Sequence, residues 1–466
     1  MNYDNTESRV IQDVRTAARD LPPGSRLPSV RELMARHHAS PVTVQRAISR
    51  LAGEGLVIPR PGRGTYVAER PAAHPQPASA PDLGWQQVAL ADGPAPPAGA
   101  LDGLLTLPPA GAIALSGGYL DPELQPTAAL GAALGRAARR PAAWGRLPVE
   151  GLEELRAWFA REAGGHIRSH DVIVCPGGQS SLATAFRALA SPGEPVLLES
   201  PTYLGAIAAA RAAGLRAIPV PADRDGVRPE LLADALALTG ARLFYCQPLF
   251  ANPHGAVLAA GRREAVLDAV RAAGAFLIED DWARDLAIDA DPPAPLTTLD
   301  PDGHVIQIRS LTKVAAPGLR VAAVCARGPA GARLRSARMV DDFFVSGPLQ
   351  HAALDLVTSP AWRRHRRALR VALGQRRDAL LAAVQEHLPE VQTAPPAGGL
   401  HLWLRLPEGV DDAALAARAE AAGVIVSPGR PWFPAEPPAP HLRLTFAAAP
   451  PADLAEGVRR LAAVFG

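Results

Sequence analysis

Ser310-Leu-Thr-Lys313-Val-Ala-Ala-Pro-Gly-Leu-Arg320 carries the only lysine in a chain of 466 residues. Lysine and arginine together number 48, so every other strong cation is an arginine. The two side chains are not chemically interchangeable. Arginine stays protonated, whereas a desolvated lysine amine can lose its proton and attack a carbonyl. A solitary lysine could be an ordinary surface residue. The sequence on either side of it argues for chemistry.

From about Ala112 onward, short apolar strands alternate with helical stretches rich in Ala, Leu and Arg. The strands read at residues 172–175, 196–198, 243–246, 276–278, 305–308 and 321–324. This alternation predicts an α/β domain with a mostly parallel, buried sheet whose ligand-binding loops gather at strand ends. Those loops hold a set of candidate groups. Cys175-Pro-Gly177-Gly178-Gln179 joins a strand to a helix, so its free amides suit a phosphate. The 199–203 stretch ends on the aromatic face of Tyr203, and the loop from Gln247 to Gly255 offers the side-chain amide of Asn252. The 276–281 stretch closes an apolar strand with Glu279, Asp280 and Asp281, carboxylates that are costly to bury without partners. Ser310, Lys313 and Arg320 complete the set. A phosphate cup, an aromatic platform, a buried carboxylate and an amine together match pyridoxal 5′-phosphate (PLP). The amine would bind its carbonyl, and the carboxylate would keep its ring nitrogen protonated.

In order and spacing, residues 112–466 resemble the class I aminotransferases of PLP fold type I. The resemblance implies that Lys313 forms the internal aldimine and that Asp280, with Asp281 as the fallback, pairs with the pyridine nitrogen. It further implies that Gly178, Gln179, Ser310 and Arg320 hold the phosphate, that Tyr203 stacks on the ring and that Asn252 reaches its phenolic oxygen. Arg443, in His441-Leu-Arg443-Leu-Thr-Phe, matches the arginine that grips an amino-acid carboxylate in a bidentate pair. Two positions depart from the family. Trp282 and Ala283 stand where a tyrosine follows the aspartate, and Trp144-Gly145 stands where the family has Tyr-Gly. Loss of the first phenol is expected to change the lysine's proton chemistry, which bears on turnover and not on cofactor binding.

The first seventy residues read differently. They hold 11 arginines against 7 acids, whereas the whole chain carries a net charge of only +2. A helix is expected over 9–19, broken by Pro22-Pro23-Gly24. Ser29-Val-Arg-Glu32 is a capping-box pattern for a second helix, and Ser40-Pro41 reads as N-cap and first residue of a third. On that third helix Val44, Ile48 and Leu51 form the buried stripe, with Thr43, Gln45, Arg46 and Ser49 outward. Residues 56–58 and 65–67 flank Arg60-Pro-Gly-Arg63-Gly64, which suits a hairpin. Three helices and a hairpin make a winged helix-turn-helix. Pro23-Gly24, Leu27-Pro-Ser-Val-Arg-Glu-Leu33, Gly55-Leu56-Val57 and Gly62-Arg-Gly-Thr65 resemble the GntR family closely. The resemblance implies that Arg31, Ser40, Thr43 and Gln45 face DNA, with Arg63 in the wing.

Pro71 to about Pro97 is rich in proline and alanine and reads as an extended linker. The expected organisation is a DNA-binding domain at 1–69, a linker at 70–111 and an effector domain at 112–466. Three scattered cysteines suit neither a disulfide framework nor a zinc site. The polar N-terminus is not a signal peptide and no apolar run is long enough to span a membrane, so a cytoplasmic protein is expected.

A GntR-type winged helix joined to an aminotransferase-like domain resembles the MocR/PdxR subfamily of bacterial transcription regulators. The resemblance implies a head-to-tail homodimer that binds operator DNA. PLP, or a small amino compound acting through the lysine-bound aldimine, would change that binding. The rival reading is a working aminotransferase with a DNA-binding appendage, and a third is a sensor of PLP alone.

Overall fold

The computed structural model describes residues 3–68, 83–90, 101, 103 and 105–465, in two units spanning 1–94 and 95–466. Most of the expected linker, including residues 70–82 and 91–100, lies outside the described residues.

Over residues 3–68 the first unit is three helices and a hairpin, α1 (Tyr3–Asp20), α2 (Val30–His37), α3 (Pro41–Gly53), β1 (Val57–Arg60) and β2 (Gly64–Val67), and it holds one further short helix, Gly84–Leu90. Local hydrogen bonds fix the helix starts. The Glu32 N–H donates to Ser29 Oγ at 3.3 Å, and the Ser29 N–H donates back to the Glu32 carboxylate at 2.7 Å. This reciprocal pair satisfies two amides that the first turn leaves free. Ser40 caps α3 in the same way, accepting the Thr43 N–H at 3.2 Å, with Pro41 in the first helical position. Val10, Val14, Leu33, Val44, Ile48 and Leu51 close a small core beneath the hairpin. The hairpin is antiparallel, with Val57 opposite Val67 and Arg60 opposite Gly64.

Thr43 departs from the expected outward set. It is buried, at 9% exposure, and its hydroxyl lies 2.8 Å from that of Ser40. Helical periodicity left it at the edge of the stripe, and the cap draws it inward. Gln45, Arg46 and Ser49 are exposed as expected.

The second unit is built on an eight-stranded sheet. In chain order its strands are β4 (Val172–Cys175), β5 (Pro195–Ser200), β6 (Arg216–Asp223), β7 (Gly226–Val227), β8 (Leu243–Cys246), β9 (Phe276–Asp281), β10 (Val305–Ser310) and β11 (Ala322–Cys325), following a short β3 (Ile113–Ala114) outside the sheet. Across the sheet the order is β4-β11-β10-β9-β8-β5-β6-β7. The pairs from β10 through β6 are parallel, whereas β11 runs against both its neighbours and β7 against β6. Successive residues of β4 enter different cores. Val172 and Val174 join one apolar cluster, Ile173 and Cys175 another. Burial on both faces is why these strands read as unbroken apolar runs. Strand β6 was not foreseen. Its Arg-Ala-Ile-Pro-Val-Pro sequence holds two prolines, which belong near a sheet edge, and only the two-residue β7 lies beyond it.

C-terminal to the 28-residue helix Pro360–His387, a smaller sheet combines β12 (His401–Arg405), β14 (Ser427–Pro428) and β15 (His441–Thr445), after β13 (Val424–Ile425). Strand β3 pairs in parallel with β13, and the Thr445 N–H donates to the Leu115 carbonyl at 2.7 Å. These contacts draw the 113–119 segment alongside β15, and with it residues that the sequence reading had not used.

Candidate cofactor and effector site

Nine residues expected to form the site line one cavity of about 380 Å³: Gly178, Gln179, Tyr203, Asn252, Asp280, Ser310, Lys313, Arg320 and Arg443. A cavity of that size is in the range for a small-molecule site.

The acidic end of β9 shows how the strand sorts its carboxylates. Side chains alternate between faces, so Asp280 points one way while Glu279 and Asp281 point the other. Asp280 lines the cavity. Its Oδ2 accepts the Tyr245 hydroxyl at 2.7 Å and Gln247 Nε2 at 2.8 Å. Burial pushes its pKa up to about 6 even though both donors favour the charged form. Asp281 faces an ion network instead, accepting from Arg284 at 2.5 Å, Gln307 at 3.1 Å and Arg309 at 3.5 Å. It is therefore not an alternative to Asp280 at the cavity. Behind Gln247 lies Glu199, whose carboxyl accepts the Gln247 N–H at 2.8 Å and is pushed up to about 8 by burial.

Lys313 follows β10 and reaches back across the cavity. Its Nζ donates to the Gly118 carbonyl at 2.8 Å and lies 3.7 Å from the centroid of the Tyr119 ring. Burial brings its pKa down to about 7, with the positive charges of Arg443 and Arg320 acting in the same direction and Asp280 opposing. The amine is thus poised to lose its proton near neutral pH.

At the other end of the cavity, the helix Gly178–Leu189 starts directly after the Cys175-Pro-Gly turn. Gly177 has φ 109° and its would-be Cβ runs into the Arg320 guanidinium, so only glycine suits that position. Arg320 Nη2 in turn donates to the Pro176 carbonyl at 2.9 Å. The Thr312 hydroxyl and Gln179 Oε1 are buried there without partners in the protein. The indole N–H of Trp282, which also lines the cavity, is likewise unpaired. Unsatisfied polar atoms of this kind, beside a cradle of amides and an arginine, fit a polar, phosphate-bearing cofactor.

Arg443 is almost fully buried. It donates to Asn252 Oδ1 at 3.1 Å and to the carbonyls of Ser116 and Gly117, and it lies over the Trp432 ring at 4.2 Å. Burial holds its pKa down to about 9. His401 sits at 3.4 Å from it, stacked on Trp282, with Nδ1 unpaired. Burial, and then the charges of Arg443 and Lys313, keep this imidazole neutral. Trp144, by contrast, is 69% exposed, donates to the Ala138 carbonyl at 2.9 Å and does not line the cavity.

Several cavity residues lay outside the sequence reading. Tyr119 and His401 were missed because no periodicity or turn signal marks them. Tyr245, which is not in the cavity wall but holds Asp280, sits in a strand read only as apolar. Leu101 and Leu105 also line the cavity, although the sequence assigns them to the linker.

The family model for class I and II aminotransferases matches residues 116–461, and that for bacterial regulatory proteins of the gntR family matches residues 2–67. The crystal structure of LysN, the alpha-aminoadipate aminotransferase of Thermus thermophilus complexed with N-(5′-phosphopyridoxyl)-L-leucine, superposes with a TM-score of 0.73 at 31% identity, covering 76% of this chain and 92% of that one. The larger unit therefore belongs to the class I and II aminotransferase family of PLP fold type I, whose cofactor is pyridoxal 5′-phosphate. Two relatives are similar to this chain over most of its length. The HTH-type transcriptional regulator YdfD of Bacillus subtilis is 29% identical over 446 residues, 94% of this chain and 92% of its own. YjiR of Escherichia coli, another HTH-type transcriptional regulator, is 31% identical over 403 residues, 83% of each chain. The whole chain belongs to the MocR/PdxR subfamily of GntR-type transcription regulators.

Proposed function

We propose that this protein is a DNA-binding regulator whose operator affinity is set by PLP and by a small amino compound that meets PLP at Lys313. The observation that carries the proposal is the convergence of Lys313, Asp280 and Arg443 on one cavity in a chain that also holds a winged helix. When bound, PLP supplies a carbonyl that takes up a primary amine and a ring that draws electrons. The protein's part is to hold, orient and adjust protons. Lys313 offers an amine that gives up its proton as pH passes through about 7. Asp280, fixed by Tyr245 and Gln247, keeps a carboxylate for the ring nitrogen. Gly178, Gln179, Ser310 and Arg320 hold the phosphate, and Tyr203 supports the ring. Asn252 reaches the ring's oxygen. Arg443 binds a carboxylate on the effector after releasing the main-chain carbonyls it now holds.

In the DNA-binding unit, exposed Arg31, Ser40 and Gln45 form the contact set, with Arg63 at the wing tip. Thr43 serves this set through the Ser40 cap. The 70–111 stretch would join the 1–69 and 112–466 domains as a connector. A head-to-tail homodimer acting in the cytoplasm fits these parts. Exposed Met339, Val340 and Phe343 offer it an apolar surface. Among the described residues no helix is long and apolar enough to cross a membrane.

The complete carboxylate and amine set also favours a second reading, residual aminotransferase activity. The test is the visible absorption of the full chain with PLP, followed as amino compounds are added, alongside binding to a duplex from the region upstream of its own gene. A persistent, compound-dependent shift together with changed DNA affinity supports the regulator. Decay of the band with release of a keto acid supports the enzyme. Lys313→Ala with unchanged PLP-dependent DNA binding would sink the covalent sensor.

A further inference from the structure

We infer that the larger unit holds a second small-molecule site, beside the turn that carries Asn252, for a small oxyanion bearing a neighbouring hydroxyl, and that its occupancy changes the affinity for PLP. A separate cavity of about 530 Å³ lies there, between residues 254–263 and residues 394–397, which precede β12. Among the described residues it shares no lining group with the cofactor cavity.

The wall suits an anion. Arg263 is only 8% exposed, and its Nη2 donates to the Ala294 carbonyl, one bond from a guanidinium with several N–H groups to give. Glu279, which attracts it from β9, is engaged elsewhere. Both Glu279 oxygens accept the Leu296 N–H at 3.0 Å, and burial pushes the carboxyl toward its neutral form. The helix Ala260–Ala272 begins at the wall without a side-chain cap. Arg224 adds an exposed guanidinium, 3.8 Å from the Asp225 carboxylate. Helix-start amides and a forked guanidinium are partners that carboxylates and phosphates share. His254 adds unused hydrogen-bonding capacity. Both its ring nitrogens are buried without a partner, and the ring lines the cavity, so a small rotation brings either to a ligand. Burial brings its pKa down to about 4, and the neutral imidazole offers one donor and one acceptor. A hydroxyl, which both donates and accepts, matches it.

The turn between the two cavities is tied at several points. The Ala251 N–H donates to the Ala256 carbonyl at 2.9 Å, the Gly255 N–H to the Ala251 carbonyl at 2.6 Å and the Leu258 N–H to the Pro248 carbonyl at 2.9 Å. Gly255 packs so closely on Pro396 that a Cβ would collide with it. Toward the cofactor cavity, the Asn252 N–H donates to Gln247 Oε1 at 2.8 Å, and Gln247 in turn holds Asp280. A ligand seated against His254 therefore bears on two residues of the PLP site through one bonded turn.

The experiment is a calorimetric titration of the full chain, loaded with PLP and at fixed ionic strength, with glycerol 3-phosphate, glycerate, inorganic phosphate and glycerol. Glycerol 3-phosphate or glycerate should bind about tenfold or more tightly than phosphate or glycerol, the worth of the hydrogen bonds those two lack. Which of the pair binds tells a phosphate ester from a carboxylate. Arg263→Gln should weaken that binding about tenfold or more, and His254→Phe should bring it down to the level of inorganic phosphate. The cofactor's visible band reports in each variant that the fold is intact. Arg224→Gln, at an exposed position, should give a milder loss and serves if Arg263→Gln does not fold. The bound probe should also change PLP affinity by about twofold or more. No binding of either hydroxylated anion would overturn the inference, as would binding unmoved by Arg263→Gln and His254→Phe. Binding abolished by Arg443→Gln would overturn it too, by placing the probe in the cofactor cavity. An unchanged PLP affinity with the probe bound would overturn the coupling.

Discussion

Tyr245 donates its hydroxyl to the same Asp280 oxygen that Gln247 approaches, at 2.7 and 2.8 Å, so two donors from the end of β8 lock one carboxylate of β9. The parallel register explains the meeting, since Tyr245 lies opposite Ile278 and Cys246 opposite Glu279. The lock works against burial, which pushes Asp280 toward its neutral form.

Tyr245→Phe should therefore weaken PLP binding by roughly 10–100-fold, the worth of a hydrogen bond to a charged group. Removing the donor raises the Asp280 pKa further above about 6. More of the carboxyl is then protonated at pH 6.5 than at pH 8.5, so the defect should be larger at the lower pH. PLP titrations by fluorescence at the two pH values check this. Equal losses at both would mean that Tyr245 acts only through packing.

The Lys313 amine gives a second pH signature. With its pKa near 7, its nucleophilic form rises as pH climbs through neutrality, far below the usual lysine range. The rate at which the apo chain captures PLP should increase about tenfold per pH unit below 7 and level off above it. Stopped-flow absorbance measures that rate. A profile still climbing at pH 9 would place the amine in an ordinary solvated environment.

In the DNA-binding unit, exposure and burial separate residues that the motif groups together. Arg31→Ala and Arg63→Ala should each lower affinity for all duplexes and flatten the salt dependence by about one unit of slope. Gln45→Ala should act on some sequences more than others. Thr43→Val should leave DNA selectivity unchanged, because its hydroxyl is spent on Ser40, and should cost about 0.5–1.5 kcal/mol of stability through the lost bond. Fluorescence anisotropy across a salt series and a thermal melt distinguish these outcomes.

Much of this organisation was legible in the sequence because local signals carry it. Capping boxes, the Pro41 start, the glycines of the wing and the apolar runs of a two-faced sheet all depend on near neighbours. The order of Gly178, Tyr203 and Asp280 was readable because each opens a helix or lies at the end of a strand, and that of Lys313 and Arg320 because both stand in the connection between β10 and β11. Tyr119, His401, Leu101 and the inward turn of Thr43 were not. Tyr119 reaches Lys313 only because β3 pairs with β13 and Leu115 with Thr445, contacts that span more than 300 residues. Leu101 sits in a proline-rich context that masks its packing on Trp432.

The three acids of β9 supply the last test, since alternation gives adjacent residues opposite tasks. Asp280→Ala should abolish PLP binding while leaving the fold near its original stability, because it removes a buried carboxyl that burial disfavours. Asp281→Ala should do the reverse. It strips the carboxylate partner from Arg284 and one of three from Arg309, which also pairs with Asp285 and Glu162. Leaving buried guanidinium groups short of a counter-ion should cost about 3–5 kcal/mol, with PLP affinity in the surviving folded fraction largely retained. Urea denaturation paired with PLP titration reads both quantities. Loss of PLP binding in a stable Asp281→Ala protein would move the ring-nitrogen role from Asp280 to its neighbour.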